Sequence, residues 1–389
     1  MKRKRLNAIL AIVLSPSAVG SPPETCEQSS LLVNLGSVQS PNKRLGATPV
    51  VLRFDPKARY VRFVLEASQL PDCLDWSVEV RGGPQERLRQ VLSHVNFANG
   101  GNKTTTLRIP DAEARFYLNE CTRGGAPIVT VTRATVMDGD KNPYYSYQKV
   151  LARNPRPLFG NTGYESIPHR RLGDLVAFLA FVWFDFQWGC TGVMIAEDLL
   201  LTNWHCGGPK GVANGMWQEE IWRSALVDLS WDDDAESREA RISKVELHDE
   251  KLDFAILRLS GIDTSSGPLR PATLSRRVTA DAVTILHHPR AEPKRISHCE
   301  VTNFFWRNWK DVSMLTDFQH NCGTDNGSSG APVFDGHGSV IGLHHLGFEF
   351  DATTCKAKDD VSKAIRMDFI IDHIKDKRLD LFSRLVIVE

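Results

Sequence analysis

Between about residue 45 and residue 150, apolar and polar positions alternate in short runs. Examples are Tyr60-Val61-Arg62-Phe63-Val64-Leu65, Trp76-Ser77-Val78-Glu79-Val80, Ala114-Arg115-Phe116-Tyr117-Leu118 and Ile128-Val129-Thr130-Val131-Thr132, separated by Gly, Pro and Asn. A period of two broken by turn formers predicts antiparallel strands, here a small β-sandwich-like domain. Asn154-Pro155-Arg156-Pro157 and Gly160-Asn161-Thr162-Gly163 then read as a linker. A second strand-rich region follows. In it, Asp174 to Phe184 reads as a buried strand, and Gly189–Ile195 and Leu199–Asn203 as two strands joined by a turn at Ala196-Glu197-Asp198. Near the end, Met367, Ile370, Ile371 and Ile374 recur at i, i+3, i+4 and i+7, the apolar face of a helix. No internal repeat of solenoid period is seen. The expected organisation is an N-terminal β-rich accessory domain over 22–153, a linker over 154–164 and a second domain over 165–389.

Residues 1–21 stand outside this pattern. Lys2-Arg3-Lys4-Arg5, the apolar stretch Leu6–Leu14 and the small residues Ala18-Val19-Gly20 have the order of a cleaved signal peptide, too short to span a bilayer. The expected location is therefore secreted or periplasmic, with no membrane span. Lys and Arg total 47 and Asp and Glu total 47, so no net charge marks the chain for nucleic acid. Eight cysteines in an exported chain favour disulfides. No Cys-x-x-Cys pair or zinc-like spacing calls for a metal, and no cofactor motif is present.

The chemistry-bearing segment is Gly327-Ser328-Ser329-Gly330-Ala331-Pro332-Val333. A serine hydroxyl is a weak nucleophile until a base takes its proton and donors stabilise the oxyanion. Flanking glycines free the backbone N–H groups to turn toward that oxygen. His205, at the exit of the Leu199–Asn203 strand, is the candidate base, since an imidazole titrates near neutral pH. Asp253, heading the apolar run Phe254–Leu259, is the candidate that holds the imidazole in one tautomer; Asp249 is the fallback in a more polar setting. A Cys190–Cys206 disulfide would pin the histidine loop.

These segments resemble the chymotrypsin-like (trypsin-fold) serine peptidases. The order His205, Asp253, Ser329 is theirs. Leu201-Thr202-Asn203-Trp204-His205-Cys206 is similar to the family's Thr-Ala-Ala-His-Cys box, and Leu252-Asp253-Phe254-Ala255-Ile256-Leu257 to its Asp-Ile-Ala-Leu-Leu box. Gly327-Ser328-Ser329-Gly330-Ala331-Pro332 is similar to its Gly-Asp-Ser-Gly-Gly-Pro box. The match spans roughly 165–380. It implies an all-β fold of two antiparallel six-stranded barrels with a C-terminal helix, and a His205-Asp253-Ser329 triad in the cleft. It further implies an oxyanion hole from the N–H groups of Gly327 and Ser329, and protein or peptide substrates.

Two finer likenesses are to secreted bacterial enzymes. Ile285-Leu286-His287-His288-Pro289 with Lys294-Arg295-Ile296-Ser297 is similar to a segment of lysyl endopeptidases, and Val340-Ile341-Gly342-Leu343-His344 to the pocket strand of glutamyl endopeptidases. By the resemblance, Thr324 and His344 fall where an acidic side chain is read, and Asp360 where a lysine is read. These point to opposite charges, so no preference is assigned. The His287-His288 and His344-His345 pairs are read as packed or pocket-lining. Ser328 replaces the aspartate that, in digestive-type members, pairs with a newly released N-terminus, and no Ile-Val-Gly-Gly-like start follows a basic site. Activation without N-terminal insertion is expected. Cys299–Cys322 would staple a long β excursion and Cys73–Cys121 would lie in the N-terminal domain, which leaves Cys26 and Cys355 by elimination.

An inactive relative serving as an extracellular binding module is the alternative, against which stands the retention of all three triad residues. An α/β-hydrolase esterase is disfavoured because Ala331 breaks the Gly-x-Ser-x-Gly elbow and the serine comes last.

Overall fold

The computed structural model describes residues 33–34, 37–54, 60–82, 88–93, 97, 102–108, 113–137, 156–157, 171–183, 186–208, 216–231, 239–262, 270–278, 281–347 and 361–389. The expected signal peptide, Cys26, Cys355 and Asp360 lie outside these residues.

Six strands form the first barrel: β1 (Val176–Trp183), β2 (Phe186–Ala196), β3 (Leu199–Thr202), β4 (Leu226–Asp228), β5 (Glu239–Asp249) and β6 (Phe254–Ser260). Pairing runs β2-β1-β4-β5-β6-β3 and returns from β3 to β2, all antiparallel, so the sheet closes. The second barrel has β7 (Ala282–His287), β8 (Arg295–Trp306), β9 (Asp317–His320), β10 (Pro332–Phe334), β11 (Val340–Leu346) and β12 (Ser362–Arg366). Its antiparallel order β10-β7-β8-β9-β12-β11 closes from β11 back to β10. Closure removes the sheet edges that would otherwise carry unpaired backbone groups. The chymotrypsin-like double barrel expected above is the fold observed.

The apolar runs explain the closure. Leu199–Thr202 is buried at every position, as is Phe254–Leu257, because such strands face a packed interior on one side and neighbouring elements on the other. One core joins the two barrels: Val193, Ile195, Leu201, Phe254 and Ile256 from the first pack with Leu286, Ile296, Phe334, Leu343 and Ile365 from the second. Helix α1 (Met367–Lys377) seals that core with Met367, Ile370, Ile371 and Ile374, the predicted face, all fully buried. Asp368 in its first turn and Lys375 and Lys377 in its last suit the helix dipole. The shared core holds the barrel surfaces in register, and the cleft between them with it.

The N-terminal strands form two further antiparallel sheets. One contains Tyr60–Ser68, Asn102–Arg108 and Ile128–Met137; the other contains Val50–Arg53, Ser77–Gly82, Leu88–Ser93 and Glu113–Asn119. They share one core, in which Val61, Phe63, Val129 and Val131 meet Val78, Val80 and Phe116, with the Phe63 and Phe116 rings edge to face at 4.9 Å. That is the face-to-face packing of a sandwich. Arg62 of this unit is buried beside Asp228 and Glu239 of the first barrel; burial lowers its pKa, and the two carboxylates oppose that. In the expected linker, Arg156–Pro157 pairs with Arg295–Ile296, so part of the connection runs along β8 as a short strand. Among the described residues no helix is long and apolar enough to cross a membrane.

The disulfides Cys73–Cys121, Cys190–Cys206 and Cys299–Cys322 are present, with Cα separations of 6.3, 6.3 and 4.9 Å. Each pairing is one expected from the sequence. Sγ of Cys299 and Cys322 lies near His320, but bonded sulfurs are not thiolate ligands.

Candidate active site

β3 ends at Thr202, and the chain turns through a 3-10 segment, Trp204–Gly207, that carries His205. Three contacts hold this segment. Cys206 is bonded to Cys190 on β2, Trp188 Nε1 donates to the Cys206 carbonyl (3.0 Å), and Asn203 Nδ2 donates to the Asp253 carbonyl (2.8 Å). Asp253 stands immediately before β6 with φ +43°, the left-handed region that Asp tolerates better than most residues. That bend aims its carboxylate back at the histidine. Oδ1 accepts the His205 backbone N–H at 3.0 Å, and Oδ2 accepts from His205 Nδ1 at 2.8 Å. Asp249 is used elsewhere: its Oδ1 accepts the Leu252 N–H at 2.7 Å and closes the preceding turn.

Nδ1 of His205 donates to a carboxylate, so the network assigns the free lone pair to Nε2. Nε2 is buried and has no hydrogen-bond partner among the described residues. The Ser329 loop packs against the same segment: the Thr191 N–H donates to the Ser329 carbonyl at 2.7 Å, and Cys206 Sγ lies 4.0 Å from that oxygen. A Cβ on Gly330 would fall 2.4 Å from Thr202 Oγ1 and 3.2 Å from the Asn203 nitrogen. The Ser329 hydroxyl has no hydrogen-bond partner among the described residues, the open arrangement common before substrate binds.

Ahead of Ser329, residues 325–328 form a tight turn closed by Ser328 N–H to the Asp325 carbonyl at 2.9 Å. Gly327 is its third residue with φ +92°, while Asn326 is not in the positive-φ region, which makes it a type II turn. The Asn326 carbonyl accepts the Arg290 N–H at 2.5 Å, and the Gly327 carbonyl accepts from Thr191 Oγ1 at 2.8 Å. In a trans peptide the N–H points opposite to the C=O, so the bond to the Asn326 carbonyl fixes the direction of the Gly327 N–H, and the bond to the Gly327 carbonyl fixes the peptide after it. The N–H groups of Gly327 and Ser329 make no hydrogen bond among the described residues.

A second histidine enters the site from β11. His345 Nδ1 is 3.2 Å from Asp253 Oδ2, and its Nε2 is 3.1 Å from Asp317 Oδ2. With both ring nitrogens facing carboxylates, the ring must carry two protons. Burial pushes the His345 pKa down, but Asp317 and Asp253 outweigh it and raise the value to about 9. For Asp253, burial pushes the pKa up, and the charges and hydrogen bonds of His205 and His345 bring it down to about 2. Asp317 is fixed in turn by Thr316 Oγ1 (2.8 Å), and Thr316 Oγ1 accepts from Asn308 Nδ2, which also bonds the Lys251 carbonyl. Trp309 stands edge to face with His345 and tilted against Trp204, covering the network. Two carboxylates and one imidazolium leave a net charge of −1 beside His205.

Of the expected specificity residues, Thr324 Oγ1 bonds Ser362 Oγ at 2.8 Å, and His344 Nδ1 is 3.2 Å from His320 Nε2. Ser362 and His320 are cross-strand partners, so the four form one connected patch of the second barrel. Burial holds His344 well below the usual imidazole range, and holds His320 down to about 3, with His345 adding to it. Asp317 and Thr191 escaped the sequence reading, and His345, read there as packed or pocket-lining, instead bridges Asp253 and Asp317. Each lies in an ordinary-looking strand, and only pairing across the fold makes it part of the site.

Residues 190–343 match the family model described as a trypsin-like peptidase domain, a stretch that contains His205, Asp253 and Ser329. The chain thus carries a trypsin-like serine peptidase domain on a chymotrypsin-like double barrel. It is 28% identical over 165 residues to "Serine protease FAM111A" of Mus musculus, covering 34% of this chain and 25% of that protein. It is 28% identical over 178 residues to "Uncharacterized protein y4fB" of Sinorhizobium fredii (strain NBRC 101917 / NGR234), covering 41% and 25%. The chain thus spans about a quarter of the length of these curated relatives. Among solved structures, the Rv3671c protease from M. tuberculosis in its active form aligns with TM-score 0.40 and 17% identity, over 57% of this chain and 87% of that one. Its inactive form aligns with the same score and identity over 57% and 96%.

Proposed function

We propose that the protein is an exported serine endopeptidase in which Ser329 is the nucleophile, His205 the general base and acid, and Asp253 the group that orients His205. The observation that carries this reading is the buried His205, its Nδ1 bound to Asp253 and its Nε2 left open beside the Ser329 loop. The Ser329 oxygen attacks the scissile carbonyl carbon while its proton passes to His205 Nε2. The N–H groups of Gly327 and Ser329 take the negative oxygen of the tetrahedral intermediate. His205 then returns the proton to the leaving amine, and water, deprotonated by the same nitrogen, hydrolyses the Ser329 ester. Charge on His205 in these steps is balanced by the net −1 of the Asp253, His345 and Asp317 cluster. The basic, apolar and small-residue order of 1–21, together with three disulfides, supports export.

The test is labelling of the signal-free chain with a fluorophosphonate probe, mapped by mass spectrometry, beside peptide hydrolysis. Modification at Ser329, lost with turnover in Ser329→Ala, is the expected result. A well-folded protein that neither labels nor cleaves, before and after limited proteolysis, would establish the alternative of an inactive binding module. If only a form trimmed near residue 171 is active, activation without N-terminal insertion is wrong.

A further inference from the structure

Three side chains and two backbone groups behind the nucleophile loop form a hydrogen-bond chain that the triad does not use. Ser328 Oγ accepts the Asp325 N–H at 3.1 Å and lies 2.7 Å from His287 Nδ1. On the far side of the ring, His287 Nε2 is 3.4 Å from Ser297 Oγ, and Ser297 Oγ donates to the Gly323 carbonyl at 3.1 Å. With the ring neutral, only one proton assignment satisfies every bond. Ser297 uses its hydrogen on a carbonyl, so its oxygen accepts from His287 Nε2–H; Nδ1 is then an acceptor, and Ser328 donates to it. One end of the chain sits on the Gly323 carbonyl, just before the type II turn, and the other on the N–H of Asp325, the turn's first residue. Ser328, His287 and Ser297 are all buried.

We infer that Ser297, His287 and Ser328 are positioning residues that lock the 325–328 turn in the form that presents the Gly327 N–H to the developing oxyanion. The inference rests on the serine peptidase reading of Ser329. A type I turn over the same four residues differs by a flip of the 326–327 peptide, which would turn the Gly327 N–H away. The Ser328 hydroxyl binds across the turn, from its fourth residue to the N–H of its first, and the imidazole ties that hydroxyl to β7. An uncharged relay can do this work from the moment the chain folds, with no new N-terminus to supply a charge. Every ionisable neighbour favours a neutral ring. Burial lowers the His287 pKa to about 3, and Arg295, its cross-strand partner, adds to this with His320 and Arg290. Both arginines are themselves engaged by Glu292.

The experiment uses the signal-free full chain with Ser328→Ala, Ser328→Thr, His287→Asn and His287→Leu. Loss of an oxyanion donor typically lowers kcat by about 10²-fold, so Ser328→Ala and His287→Leu are expected to lose on the order of 10²-fold in kcat with KM nearly unchanged. A peptide aldehyde inhibitor, which forms the tetrahedral oxyanion, should weaken in parallel. Ser328→Thr keeps the hydroxyl, and His287→Asn can place an acceptor near the Nδ1 position, so both should retain most of the activity. Ser328→Ala with wild-type kcat and aldehyde affinity would overturn the inference, whatever its melting temperature. Nitrogen-15 NMR of labelled histidines provides a readout that needs no turnover. His287, assigned by its loss in His287→Asn, should remain neutral with the proton on Nε2 at pH 5. A charged ring, or a proton on Nδ1, would sink the relay even if Ser329 proved inert, and failure of Ser329 to label would sink only the peptidase reading.

Discussion

Replacing His345 by Gln tests how the Asp253 carboxylate is held. In the native protein the ring bridges Asp253 and Asp317 at 3.2 and 3.1 Å with all three side chains buried. Its pKa rises from the ordinary 6.5 to about 9, which at about 1.4 kcal/mol per pH unit corresponds to roughly 3 kcal/mol of folding stability. The sign follows from the direction. A histidine whose folded pKa is raised contributes its full stabilisation below its unfolded value of 6.5, and loses it as pH rises through about 9. An independent figure comes from bond removal: taking one partner from a buried ion pair costs about 3–5 kcal/mol. The two agree. The assay is urea denaturation at pH 6, 7.5 and 9.5 in a Ser329→Ala background, which prevents self-digestion. Wild type should lose about 3 kcal/mol more than His345→Gln across that range, and the variant should already be weakened by a similar amount at pH 6. Equal slopes in the two proteins would refute a charged His345, and an unweakened variant would refute the bridge.

Two further predictions concern the frame of the site. Removing the Cys190–Cys206 bond by a double Cys→Ala change, across a sequence separation of 16, should lower stability by about 3 kcal/mol in denaturant titration. Turnover should fall as well, because His205 adjoins Cys206; unchanged activity would show that Trp188 and Asn203 suffice to hold the loop. Gly330→Ala should destabilise by about 3 kcal/mol or more, since φ is +85° and the new Cβ would meet the Thr191 carbonyl at 2.1 Å. Gly336→Ala, with nothing within 4 Å, is the control and should change the melting temperature little.

Several features were legible in the residues alone. Period-two runs located the N-terminal strands, and the spacing of Met367, Ile370, Ile371 and Ile374 located the helix and its buried face. These are local properties: one hydrophobic period selects one backbone geometry. His205, Asp253 and Ser329, in that order, were legible as candidates through the resemblance of their segments to the trypsin-fold boxes, which periodicity alone does not supply. So were three cysteine pairings, which the strand layout brings within bonding distance.

What remained hidden depends on contacts between elements distant in the chain. That His345 bears charge follows from two carboxylates 92 and 28 residues away, and nothing beside it in sequence distinguishes it from His344. The two neighbours differ because successive residues of a strand face opposite sides: His344 meets His320, while His345 meets Asp253 and Asp317. His287, the last residue of β7, and His288, just past it, also divide, one toward Ser328 and the other toward the Glu292 carbonyl. By itself the sequence marked the candidate residues for chemistry and the segments that are strands or helix. Only the closing of two barrels on a shared core decided which of the paired histidines meets which carboxylate or hydroxyl, because burial and facing charge are properties of the assembled sheet.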